Sequence, residues 1–160
     1  MNQNSDLLAI LDQAYDHRSW HGTNLRGSIR GVPIELANWR PAPHRHNIRE
    51  IVVHAAYWKC VVWRRLAGEA RGSFPLKGSN WFVRPADDAP PWKADVALLH
   101  DMHRSLRGSV ERFPGRRWHQ RLPKSRDSAF TLVAGAAAHD LYHAGQIQLL
   151  KRIAALTAEG

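Results

Sequence analysis

Apolar residues recur at helical spacing in four stretches of the chain, and strand-type alternation is weak throughout. The first stretch predicts a helix from Ser5 to Leu25, with Leu7, Leu8, Leu11, Ala14 and Tyr15 on one face. Ser5 or Asp6 is suited to cap it, because a short oxygen side chain satisfies a free backbone N–H. Gly22 should weaken its last turn. The second predicts Ile48–Ala67, striped by Ile51, His54, Ala55, Trp58, Val61, Val62 and Leu66. Asn47 reads as its N-cap, with Glu50 three residues on, and Gly68 and Gly72 end it. The third predicts Lys93–Phe113, seamed by Val96, Leu99, Met102, Leu106 and Val110 and stopped by Pro114 and Gly115. The fourth runs from Ser128 to Leu156, ~40 Å if unbroken.

The connecting segments carry the helix breakers. Gly27–His46 contains Pro33, Pro41 and Pro43 and leaves room for one short turn at Ile34–Asn38. Arg71–Pro91 is rich in proline and glycine and predicts a crossover without regular structure. Loops of such length are often functional, and helix bundles accommodate them as crossovers. Arg116–Asp127 is basic and polar. The expectation is an all-α fold: a four-helix bundle with a long crossover between its second and third helices, forming one domain over residues 1–160.

Composition narrows the class. The chain has 160 residues, 44% hydrophobic and 23% charged, which suits a globular core rather than disorder. No run of 18 apolar residues occurs, so no membrane span is expected. The opening stretch MNQNSDLLAILDQAYDHR lacks a basic segment ahead of an apolar one, so no secretory signal is expected. The single cysteine, Cys60, permits no intrachain disulfide and reads as a small core residue. Together these features point to the cytoplasm. The net charge of +9 could attract nucleic acid, but the basic residues are scattered as Arg64/Arg65, Arg116/Arg117, Lys124/Arg126 and Lys151/Arg152. A solvated basic surface is the simpler reading, and attraction of an anionic small substrate is another.

The candidate chemistry lies in the histidines. His139 and His143 are four apart on the fourth predicted helix and so share a face, close enough to reach one cation. The spacing matches H-E-x-x-H, but Asp140 replaces the glutamate, so this is not the metalloprotease motif. Ten histidines in a chain this short will produce some such pairs by chance. Here the pair lies on a stripe with Leu132 and Leu150, beside the small residues Gly135, Ala136 and Ala137. His54 sits between Ile51 and Trp58 on the apolar stripe of the second helix. Alone it would read as a satisfied core residue. Three inward imidazoles on two helices are better explained by a shared cation, since each buried polar group left without a partner costs ~1–3 kcal/mol. His100 and His103 flank the third helix's seam and read as solvent-facing; His44 and His46 sit in a proline-rich loop on either side of Arg45. His17, His21 and His119 have no partner at metal spacing, and His21 reads as near the mouth of the site.

AAAHDLYHAGQIQLLKR (Ala136–Arg152) resembles the last helix of DinB-like proteins, the DinB/YfiT-like metalloenzymes. NIREIVVHAAYWKCVVWRRLAG (Asn47–Gly68) resembles their second helix, and ANWRPAP (Ala37–Pro43) fits the segment before it. The resemblance implies a four-helix bundle with a divalent metal, nickel or zinc, on His54, His139 and His143. It also implies a homodimer and, in some relatives, transfer chemistry on a low-molecular-weight thiol. Such a site would lower the pKa of a bound water to ~7 and would deprotonate a bound thiol. Few acidic residues lie near the triad in sequence, which argues against a simple hydrolase. Tyr57 and Tyr142 are candidate proton donors, while Asp140 reads as a surface group. The leading expectation is a metal-dependent transferase or hydrolase. The alternatives are a non-catalytic metal-binding stress-response module and, as the weakest, a nucleic-acid-binding protein.

Overall fold

The computed structural model describes residues 3–72, 74–84 and 91–158. It contains six α-helices: α1 (Gln3–Tyr15), α2 (Leu25–Ile29), α3 (Ile34–Asn38), α4 (Ile48–Ala67), α5 (Trp92–Arg112) and α6 (Ala129–Ala158). A 3-10 turn occupies Gly115–Arg117. The all-α expectation holds, with no β-strand among the described residues. No helix among them is long and apolar enough to cross a membrane.

Local chemistry explains most of the boundaries. The Asn47 side chain accepts from the Glu50 N–H and starts α4, and Gly68 stops it in the left-handed region at φ 75°. The turn expected at Ile34–Asn38 is α3. The first predicted helix is corrected: α1 ends at Tyr15 rather than near Leu25. Gly22 takes φ 98°, which reverses the chain, and the Asn24 side chain then caps the separate short helix α2. A glycine placed to weaken a last turn instead divides the segment in two.

The four long helices share a core. α4 packs on α5 and α6, and α1 packs on α6 and α5. One cluster joins Leu7 and Leu11 of α1, Val62 of α4, Leu106 and Val110 of α5, and Val133 and Ala137 of α6, with the buried Trp118 against them. A second joins Ile51 and Val52 of α4 to Leu99 and Ile147, with α2 and α3 closing over it. Ion pairs cross the same interfaces: the buried Arg49 of α4 with Asp95 of α5, and Asp12 of α1 with the partly exposed Arg107 of α5.

Candidate metal centre

His54 projects from the middle of α4, and His139 and His143 from successive turns of α6. The α4–α6 contact brings their ring nitrogens together. His139 Nε2 lies 3.1 Å from His54 Nε2 and 3.0 Å from His143 Nε2. One ligand atom from each of the three residues falls within a 4.8 Å span. Nitrogens bound tetrahedrally at 2.0–2.1 Å from one ion would sit about 3.3 Å apart, so the observed separations are of ligand scale.

The other face of each ring decides what these nitrogens carry. His54 Nδ1 lies 2.8 Å from the Asn80 carbonyl, which can only accept, so Nδ1 holds the proton and Nε2 presents a lone pair. His143 Nδ1 lies 2.7 Å from Gln146 Oε1, while the Gln146 amide nitrogen donates to the Tyr142 hydroxyl at 3.0 Å. Its Nε2 therefore presents a lone pair as well. A neutral His139 between them can supply one proton at most, so at least one close pair is left lone pair against lone pair. A cation in the shared space removes that conflict for all three at once. Burial holds every one of these imidazoles in the neutral, ligand-competent form. Burial, reinforced by the fields of His143 and His54, pushes His139 down to about 3. Burial pushes His143 to about 4 and lowers His54 despite its bond to Asn80. The donor set thus fits a divalent ion that accepts imidazole.

The crossover segment serves this centre directly. Besides the Asn80 carbonyl, it supplies Trp81, whose ring stacks on His54 at 3.8 Å and 9°. The exposed His46 ring stacks on the same indole at 3.6 Å, and its Nδ1 reaches Glu50, which also holds Arg40. Beside His139 a cavity of about 260 Å³ opens between α4 and α6, walled by Trp58, Val62, Leu132 and Ala136, with Lys59 also reaching it.

Several residues lie elsewhere than their sequence context suggested. Asp140 is not a surface group: it is fully buried and salt-bridged to the equally buried Lys59. The contact with Lys59 puts Asp140 on the face of α6 toward α4, one position round from His139. Burial lifts its carboxyl, against the downward pull of Lys59. His103 is likewise buried rather than solvent-facing. Its ring stacks on Tyr15 at 3.7 Å, and its Nδ1 accepts from Lys59 at 3.3 Å. His100 is half-buried at the edge of the same tyrosine. Tyr57 packs against Phe74 and Phe82, whereas Tyr142, mostly exposed, touches the centre through Gln146 and the His143 ring. His21 is exposed beside Ser19. Sequence reasoning missed Lys59, Asn80 and Gln146. Lys59 had a signal, a lone ammonium inside the apolar run of α4, and Gln146 another, an amide three residues beyond His143. Asn80 had none beyond its loop.

The family model described as the DinB superfamily matches residues 17–147, which takes in all three histidines. Among curated proteins and among solved structures no match is found.

Proposed function

The chain belongs to the DinB superfamily, and from that membership and the converging imidazoles we propose a metal-dependent enzyme with His54, His139 and His143 as its metal ligands. The observation that carries the proposal is the pair of Nε2 separations, 3.1 and 3.0 Å, between rings whose opposite nitrogens are engaged by Asn80 and Gln146. Zinc or nickel suits the all-imidazole donor set. A divalent ion held by three neutral side chains keeps positive charge and an open position, and so acidifies a thiol or a water bound there.

The surrounding residues favour thiol transfer over hydrolysis. Asp140, the carboxylate next to the centre in sequence, is committed to Lys59, and Glu50 to Arg40 and His46. Both are buried, so neither is placed to take a proton from a water at the centre. A thiolate attacking an electrophile needs no such base. The apolar cavity beside His139 suits the non-reacting part of an electrophilic substrate, and Trp58 on its rim shields that part from water. Asn80 and Gln146 fix the ring orientations, the role that partners of metal-bound histidines commonly fill. A homodimer follows from the family resemblance and forms part of the proposal.

Elemental analysis of untagged protein tests the centre, with one equivalent of metal expected per chain. Retention of stoichiometric metal by a His54→Ala/His139→Ala variant would refute the ligand assignment. Incubating zinc- or nickel-loaded protein with low-molecular-weight thiols and electrophiles tests the reaction, read as thiol consumption. Tight metal binding with no turnover of any pair would instead support the non-catalytic module.

A further inference from the structure

A second concavity, of about 1000 Å³, lies between the C-terminal half of α4 and the crossover that follows it. Five cations line it, Arg64, Arg65, Arg71, Lys77 and Lys124, against one acid, Glu69. None of the five takes part in an ion pair among the described residues. The Arg64 guanidinium is under-satisfied: Nη1 makes a long 3.4 Å bond to the Ala70 carbonyl, and the buried Nε has no partner. The helix dipole accounts for cations in the last turn of α4, and so for Arg64 and Arg65. It does not account for Arg71, Lys77 and Lys124, which come from the crossover and from the loop before α6.

We propose that this groove binds a small organic anion carrying at least two acidic groups. Cations that converge on a concavity in excess over its acidic lining repel one another, and a polyanion offsets that repulsion while supplying acceptors for the free guanidinium donors. The volume lies at the upper end of small-molecule sites, ~300–1,000 Å³. Tyr57, Trp58 and Phe74 contribute aromatic surface to its wall, which suits the apolar or planar body of such a ligand. The groove also adjoins the histidine centre. Trp58 belongs to its wall, and its Nε1 donates to Asn80 Oδ1, the residue whose carbonyl holds His54. The Trp58 ring centroid lies 6.4 Å from that of His54 and 6.5 Å from that of His139. A ligand anchored by its acidic groups among the arginines therefore reaches toward the centre. That the ligand is the substrate or thiol of the reaction rests on the function proposed above; the anion binding itself does not.

Calorimetric titration with citrate and with pyrophosphate at low salt tests the site, the two probes separating carboxylate from phosphate recognition. One-to-one binding of at least one probe is expected, weakened about tenfold or more by Arg65→Ala/Lys77→Ala, since a charged hydrogen bond contributes about 1.5–3 kcal/mol. Arg116→Ala/Arg117→Ala removes equal charge outside the groove and should leave the affinity within about twofold. The His54→Ala/His139→Ala variant should bind the probes like the parent, so loss of the metal centre and loss of the anion site are read separately. Should the groove double variant fail to fold by circular dichroism, the exposed Lys124→Ala replaces it. Binding of neither probe, equal weakening by both charge-removing pairs, or displacement of the probe by a DNA duplex would overturn the proposal.

Discussion

Asp140→Ala should be among the most damaging substitutions that touch no metal ligand. The carboxylate is fully buried, and its Oδ2 accepts from a Lys59 ammonium that is 1% exposed. Removing it leaves that ammonium, among the described residues, with one remaining hydrogen-bond acceptor, His103 Nδ1 at 3.3 Å, and with the Tyr15 ring 4.9 Å away. Breaking a buried pair by deleting one partner costs about 3–5 kcal/mol, because the other charge is left uncompensated. That is a large share of the ~5–15 kcal/mol available to a domain. The reverse deletion should be milder. In Lys59→Met the remaining carboxyl, already lifted by burial, can protonate, leaving a neutral unsatisfied group at about 1–3 kcal/mol. The double variant should then be more stable than the sum of the two single losses by about 2 kcal/mol or more. Urea denaturation of all four proteins in chelator measures the cycle. The pair also clamps α4 to α6, the two helices whose contact sets the Nε2 separations. Metal affinity, read by competition with a chromophoric chelator, should therefore fall in Asp140→Ala although no ligand is changed. An Asp140→Ala loss below about 1 kcal/mol, or single losses that simply add, would refute the reasoning.

Gln146→Ala removes the acceptor that orients His143, and metal affinity should drop about 10–100-fold with all three ligands intact; an unchanged dissociation constant would show that Gln146 does not orient the ring. The metal-free protein should lose stability as pH falls below about 6.5. Burial, with Lys59 adding to it, pushes His103 down to about 2, so between these values the unfolded chain takes up a proton that the native state refuses. That removes roughly 1 kcal/mol per pH unit for this residue alone, and His103→Phe should flatten the acid limb of a stability profile measured from pH 7 to 4. Gly68→Ala meets no atom within 4 Å but must hold φ 75°, so thermal unfolding should show a loss of about 1–2 kcal/mol from backbone strain alone. Asn47→Ala should cost about 1 kcal/mol in the same assay by removing the cap of α4.

Parts of the fold legible in the sequence are those governed by neighbours along the chain. The limits of α4 follow from Asn47 with Glu50 at one end and Gly68 at the other, each acting within one turn of the end it sets, and the short helix at Ile34–Asn38 follows from the prolines that bracket it. The end of α1 was not legible, because a glycine that frays a helix and one that turns the chain look alike until the conformation is known. The burial of His103 and Asp140 was hidden for another reason. Both flank an apolar seam, and what makes burial tolerable is Lys59, which is 44 residues from one and 81 from the other.

By itself the sequence determined the helical periodicity, the breakers between helices and the shared face of His139 and His143, since these depend on contacts within about four residues. The tertiary structure decided which imidazoles meet. Only the packing of α4 on α6 sets His54 against a histidine 85 residues away, and only the path of the crossover brings the Asn80 carbonyl to His54 across 26 residues. Backbone spacing says which side chains share a face. The Asn80 carbonyl on the far side of the His54 ring, supplied by a distant segment, says which of its nitrogens keeps a lone pair.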